Sequence, residues 1–142
     1  MKRRTLALGA SILILAAAGG LRAADSPEKA AETAASAWLA TVDSGQYGES
    51  WDGAAALFKA AVSRGQWVAA LDQVRKPLGK LVSRKLIVAK FMTEVPNANA
   101  PKGEYVFLQY ETSFANAPGK TETVTPMKDP DGVWRVSGYF IK

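Results

Sequence analysis

The sequence contains no cysteine and no histidine among its 142 residues. Without cysteine the chain forms no disulfide, so its stability must come from a buried core. Without either residue it has no Ser-His or Cys-His pair, no imidazole or thiolate ligand for zinc, and no imidazole base near neutral pH. These absences exclude most hydrolytic and zinc chemistry, and we predict no catalytic residue, no metal and no cofactor.

The basic excess of the chain lies at its start. Basic residues 2–4 precede an apolar stretch, Leu6–Ala18, and small residues follow it, which is the layout of a secretory signal peptide. Cleavage is predicted after Ala23 or Ala24. An uncleaved membrane anchor is the alternative, but Leu6–Leu21 is shorter than the roughly 20 apolar residues that a spanning helix needs.

Removal of this segment changes the charge of the protein. The whole chain has 18 basic and 13 acidic residues, a net charge of +5, and four of the basic residues lie in the predicted signal peptide, residues 1–23. The remainder has 14 basic and 13 acidic residues, a net charge of +1. A nucleic-acid-binding surface would need a basic stripe in this part. We therefore expect a periplasmic or secreted single domain, residues 24–142, that binds no nucleic acid and keeps no membrane span.

Three helices are predicted in the first half of this domain. Ser26 is typical of a helix N-cap, and that helix ends before Gly45. Apolar residues at helical spacing predict a second helix over about 47–62. The third begins at the capping box that Ser63 and Gln66 form.

The second half of the domain predicts strands. β-Branched and aromatic residues fill four segments, about 81–94, 104–115, 120–128 and 133–141. Short turn-like links join them, so we predict a curved antiparallel meander and an α+β fold class. Helices followed by such a meander resemble the cone-shaped fold of nuclear transport factor 2.

Strand alternation divides the large side chains between two faces of this sheet. One face is apolar enough to hold the helices. The other is predicted to carry Tyr105, Phe107, Tyr139 and Ile141. Monomers seldom expose so many large apolar groups together, so a homodimer through this outer face is a hypothesis.

Motifs along almost the whole domain resemble the bacterial, mostly exported family called domain of unknown function 4019. The quoted residues are Trp38, Leu39, Val42, Asp43, Gly45–Tyr47, Ser50, Trp51, Phe58, Lys59, Ala61, Val62, Trp67, Arg75, Pro77–Gly79, Ser83, Arg84, Gly103–Tyr105, Thr112, Phe114, Glu122–Val124 and Asp131–Tyr139. The resemblance implies no activity and no site residue.

A pocket for a small apolar ligand is the favoured functional interpretation of the aromatic residues. Its predicted lining is Trp51, Phe58, Trp67, Tyr110 and Trp134. The alternative is that the tryptophans form the core where helices meet sheet.

Carboxylate and tyrosine chemistry is what remains for an enzyme. The candidate groups are Asp72, Glu111, Tyr47, Tyr110 and Tyr139. Nothing in their spacing makes two of them converge, and surface charge is the favoured interpretation of both acids. Arg75 and Arg84 are predicted to form ion pairs, with anion binding as the alternative.

These observations predict an exported binding or accessory domain. The alternative is an assembly module that dimerises through the outer sheet face. An isomerase or dehydratase with carboxylate and tyrosine groups comes third.

Overall fold

The computed structural model describes residues 24–96 and 99–142. The predicted signal peptide and its cleavage site after Ala23 lie outside these residues. Helices occupy the first part of the chain and strands the second, so the predicted α+β class is confirmed.

Helix α1, Pro27–Asp43, and helix α4, Arg64–Val74, begin at the predicted caps. The Ser26 hydroxyl accepts the amide of Lys29 at 3.2 Å. At α4 the Ser63 hydroxyl accepts the amide of Gln66 at 3.2 Å, and the Gln66 side chain accepts the amide of Ser63 at 3.0 Å. Two orphan donors are thereby satisfied at one helix start.

The single helix predicted over 47–62 is wrong. The structure has two short helices, α2 (Tyr47–Asp52) and α3 (Ala56–Ala61). Gly53 ends α2, and Ala55 takes an extended conformation before α3 begins. Ala55 also donates its amide to the carbonyl of Val136 at 2.8 Å, so a contact with the sheet interrupts the helical pattern. After α4 a short 3₁₀ turn, Lys76–Leu78, leads into the sheet.

Four antiparallel strands form one open sheet in sequence order. They are β1 (Leu81–Met92), β2 (Tyr105–Phe114), β3 (Ala117–Lys128) and β4 (Trp134–Ile141). β3 begins three residues earlier than predicted, because Phe114 pairs with Ala117 and leaves a two-residue turn. β1 and β4 are the two edges of the sheet, and β1 carries the exposed Lys85 and Lys90.

The main core lies between the helices and one face of the sheet, which we call the inner face. Helix α1 contacts all four strands. The fully or nearly buried core residues include Ala31, Ala35, Trp38, Leu39, Val42, Leu71, Val106, Leu108, Val124 and Val136. Because α1 spans the sheet, its packing ties every strand to one core.

A β-bulge in β4 changes which residues face this core. Thr125 pairs with Gly138 and Pro126 with Val136, so Ser137 is an extra residue in β4. Val136 and Tyr139 are therefore both buried, whereas strict alternation would place them on opposite faces.

Because of this bulge, the outer face carries different residues of β4 from those predicted. Tyr139, 8% exposed, and Ile141 both pack with the main core on the inner face, so their predicted outer-face position is wrong. Phe140, predicted with the inner set, is 67% exposed.

Tyr105 does lie on the outer face, but its own chain covers it. It is 1% exposed and packs in a second apolar cluster with Met127, Ala55 and residues of the β1–β2 loop. Its hydroxyl donates to the carbonyl oxygen of Pro101 in that loop at 2.6 Å. Phe107 is half-buried. The four residues therefore do not form one exposed patch, and the homodimer stays a prediction.

None of the helices described is long and apolar enough to cross a membrane.

Candidate functional site

Four aromatic side chains meet between the helices and the sheet. Trp38 of α1 lies edge-on to Tyr139 of β4, with ring centroids 5.2 Å apart, and Phe58 lies perpendicular to Trp67 at 4.8 Å. The Trp38 indole donates to the carbonyl oxygen of Ser50 at 2.8 Å, and the Trp67 indole donates to the Ser50 hydroxyl at 2.9 Å. Both indole N–H groups are thus satisfied within the protein, as buried tryptophans require.

The five residues of the predicted ligand pocket do not surround one cavity in the described part of the chain. Phe58, Trp67 and Tyr110 are buried in the main core, and Trp51 and Trp134 pack against it half-buried. Trp67 also lines a surface groove, and Trp134 lines a separate surface depression. The structure places these side chains mainly in the core.

A groove of about 290 Å³ lies between α4 and β4, and we call it the α4–β4 groove. Its lining residues are Trp67, Ala70, Leu71 and Val74 of α4, and Tyr139, Phe140 and Ile141 of β4. The four residues of α4 recur at helical spacing, so one stripe of the helix faces the groove. At its rim Val74 and Phe140 are 52% and 67% exposed. The groove offers an apolar surface with little polar chemistry.

Beneath this groove lies a buried ionic cluster centred on Glu122, which is 0% exposed. Its carboxylate accepts Arg84 Nε at 2.7 Å, a second nitrogen of Arg84 at 3.2 Å, and the Thr112 hydroxyl at 2.6 Å. The Tyr139 hydroxyl donates to the same carboxylate. Each carboxylate oxygen thus accepts two donors, and the buried charge is satisfied.

Asp43, at the end of α1, joins the same cluster. Arg84 donates to its two oxygens at 2.8 and 3.0 Å, and Arg75 donates to it at 3.2 Å. The predicted ion pairing of Arg75 and Arg84 is confirmed. Burial disfavours the charge of Arg84, but its hydrogen bonds to Asp43 and Glu122 prevail and raise the pKa of the guanidinium.

The two core tyrosines differ in their hydrogen bonding. Burial, followed by the neighbouring Glu122 charge, raises the pKa of Tyr139 well above the usual tyrosine range. Burial also raises the pKa of Tyr110 to about 12. The Tyr110 hydroxyl makes no well-aligned hydrogen bond among the residues described, and the Ser36 side chain nearby partly opposes the rise in its pKa. Nε of Arg75 has no hydrogen-bond partner among the same residues.

The carboxylate and tyrosine candidates for catalysis do not assemble as a set. Asp72 and Glu111 are exposed, and Tyr47 is buried in the main core. Tyr139 does meet a carboxylate, but the partner is Glu122, whose oxygens already carry four donors. Within residues 24–96 and 99–142, no group of three or more acidic side chains is placed to hold a metal ion.

The sequence predicted ion pairs for Arg75 and Arg84 but did not identify Glu122 and Asp43 as their acidic partners. A signal for Glu122 exists in the sequence, since it shares the strand parity of the buried Val124. A carboxylate on an apolar face needs a buried cation, and Arg84 on β1 has the parity of Leu86. Asp43 gives no such signal, because its role depends on where α1 meets the sheet.

Comparison with known proteins gives one family. A family model described as "Protein of unknown function (DUF4019)" matches residues 34–139. No curated protein and no solved structure matches the chain. The match covers most of the sequence, including the greater part of α1, the α4 side of the groove with Tyr139, and the ionic cluster, and the chain therefore belongs to the DUF4019 family.

Proposed function

We propose that this protein is an exported binding module without catalytic activity, and that its α4–β4 groove takes up an apolar group. The observation that carries the proposal is the groove itself, about 290 Å³ in volume and lined by apolar side chains from two elements. Export is inferred from the basic and apolar start of the sequence. The cone-type fold of nuclear transport factor 2 remains part of the proposal.

The size of the groove limits what it can hold. A dry apolar cavity of about 150 Å³ accommodates benzene, so this groove has room for a group of about twice that size. Such a volume is at the lower end of small-molecule pockets. A two-ring compound or one or two apolar side chains would fit, whereas a large cofactor would not.

The groove replaces the interior of the fold as the proposed ligand site. Trp38, Trp67 and Tyr139 occupy the space between the helices and the sheet, and they pack ring against ring. A ligand placed there would have to displace close-packed core side chains, at a cost of several kcal/mol. A ligand in the groove displaces only water.

Assembly through the outer face is the second candidate function. The exposed Phe140 favours it, because the bulge directs this side chain to the outer face. We propose no isomerase or dehydratase, since the Glu122 carboxylate is fully buried and satisfied by its own donors.

Filling the groove tests the proposal. Ala70 lines the groove and is exposed on α4, so Ala70→Phe should occupy part of the volume without disturbing the core. The neighbouring Ala69 is also exposed but does not line the groove, and Ala69→Phe is the matched control. Binding of the fluorescent probe 1-anilinonaphthalene-8-sulfonate is measured by titration.

We expect saturable binding of this probe by the wild-type chain and by Ala69→Phe, and a loss of at least about tenfold in affinity for Ala70→Phe. Both variants should keep the wild-type melting temperature within a few degrees. Equal affinity of the two variants, or no saturable binding by the wild type, would remove the groove as the binding site.

A further inference from the structure

β4 is an edge strand, and only one part of its free edge is occupied by the chain itself. Along one edge β4 pairs with β3, and its other edge faces no strand of the residues described. On its free side the carbonyl of Val136 accepts the amide of Ala55 at 2.8 Å. This contact shows that the edge accepts a backbone donor from outside the sheet. Beyond Val136, no backbone group of the described residues bonds to that side.

The register of β4 identifies which backbone groups point outward. Lys142 and Thr121 exchange two backbone hydrogen bonds, at 2.9 and 3.0 Å. Bonded and non-bonded residues alternate in an antiparallel pair, so the N–H and C=O groups of Tyr139 and Ile141 point away from β3. These two residues offer four free backbone groups at the edge.

The side chains beside this edge favour an extended partner. Tyr139 and Ile141 line the α4–β4 groove on the inner face, and Phe140 between them lies exposed at the outer face. Phe140 also lines a separate depression of about 190 Å³ on the outer face. Successive side chains of an added strand point to opposite faces. One set of alternate residues would therefore enter the groove, and the other set would contact Phe140 on the outer face.

Two lysines lie near the end of this edge, with one exposed acid, Glu111, opposite Thr121 on β2. Lys142 follows Ile141 directly, and Lys120 lies beside Thr121, the residue that pairs with Lys142. Neither lysine forms an ion pair with a carboxylate in the described part of the chain. An acidic residue on the partner would find complementary charge here.

We propose that an extended peptide segment of a partner protein adds to β4 as a fifth, antiparallel strand. Its alternate apolar side chains occupy the α4–β4 groove, and an acidic residue at its amino end lies near Lys142. This is β-strand addition, in which backbone hydrogen bonds supply affinity and the groove supplies specificity. The inference rests on the proposed function, because it names the class of group that fills the groove.

The test uses labelled synthetic peptides and the full domain. The probe peptide alternates valine with threonine and carries two glutamates at its amino end. In antiparallel addition the valines enter the groove and their amides face β4. N-methylation of the valine amides should therefore weaken binding at least about tenfold in fluorescence polarisation. N-methylation of the threonine amides, which point away from β4, is the matched control and should leave the affinity within about threefold.

A protein variant tests the same hydrogen bonds from the other side. Ile141→Pro removes an outward N–H but no bond to β3, and proline is tolerated at such positions of edge strands. Ala69→Phe, at an exposed position of α4 outside the groove and the edge, is the control. Ile141→Pro should lose the peptide and Ala69→Phe should retain it. In the wild type, the peptide should slow amide hydrogen exchange at Tyr139 and Ile141, a measurement that does not depend on how the variants fold.

The outcomes separate the two proposals. Binding of the anilinonaphthalene probe together with equal binding of all three peptides, or with no peptide binding, overturns strand addition and leaves the groove as a binding site. Failure of both probe and peptide overturns both. Protection of Tyr139 and Ile141 without peptide, in a sample that sediments as a dimer, would assign the edge to a second copy of this chain and overturn the peptide proposal.

Discussion

At the scale of single residues, the buried polar groups divide into satisfied and unsatisfied ones. The Tyr139 hydroxyl donates to the buried Glu122 carboxylate, whereas the Tyr110 hydroxyl makes no well-aligned hydrogen bond among the described residues. Both rings belong to the same core. The same chemical change at these two positions should therefore have unequal effects on the free energy of unfolding.

Tyr139→Phe should destabilise the domain by about 1–3 kcal/mol, because it removes a hydrogen bond to a buried charge. Tyr110→Phe should change the free energy of unfolding by less than about 1 kcal/mol, because it removes a buried hydroxyl that makes no well-aligned hydrogen bond. Urea unfolding of the two variants measures both values. Equal losses at the two positions would contradict the assigned hydrogen bonding.

At the scale of elements, β4 shows what a local pattern misses. The caps at Ser26 and Ser63 act on neighbouring residues, so the sequence predicts the starts of α1 and α4. The bulge at Ser137 is different, because it is defined by pairing with β3. Simple alternation therefore put Tyr139 on the wrong face, and with it part of the predicted interface.

Deletion of Ser137 should remove the bulge and leave Tyr139 on the inner face, because Pro126 then pairs with Val136 and Thr125 with Gly138 without an extra residue between them. We expect the deletion to cost about 1–2 kcal/mol in the free energy of unfolding, mainly for the lost hydrogen bond from the Ser137 hydroxyl to the carbonyl of Thr125 at 2.7 Å. Ser137→Gly keeps the bulge, loses the same hydrogen bond and should cost a similar amount. Urea unfolding measures both values. A loss of more than about 3 kcal/mol for the deletion alone, comparable to removal of a buried aromatic side chain, would show that Ser137 is not the extra residue of β4.

The candidate site was harder to predict than the fold. The α4 stripe of Trp67, Ala70, Leu71 and Val74 is visible in the sequence as helical spacing. Its pairing with β4 across a groove is a tertiary fact, and so is the position of Asp43 beside Arg84. Such contacts between distant segments leave no mark on either segment alone.

At the scale of the whole molecule, titration behaviour follows from composition and burial together. The chain has no histidine, so no side chain has an ordinary pKa between about 5 and 8. All four tyrosines have a pKa above the usual value, chiefly because they are buried. The folded state thus holds phenol protons that the unfolded chain releases at lower pH.

The free energy of unfolding should therefore be nearly constant from about pH 6 to pH 9 and decrease above about pH 10. The sign follows from linkage: a raised folded pKa favours the folded state below the unfolded pKa of about 10. For Tyr110 this contribution is lost between about pH 10 and its folded pKa of about 12. Urea titrations at a series of pH values measure the decrease, and Tyr110→Phe should make it shallower. A decrease in the free energy of unfolding between about pH 6 and pH 9 would contradict this assignment to the tyrosines.

The two edges of the sheet also determine how far association can proceed. The exposed lysines on and beside β1, Lys80, Lys85 and Lys90, oppose pairing at that edge, since charge on an edge strand disfavours it, while Val82 and Ile87 are exposed on the same strand. A filament built by strand pairing needs two receptive edges in each molecule. Because the lysines beside β1 oppose a second pairing, we expect the proposed addition at β4 to give small complexes that do not grow into filaments.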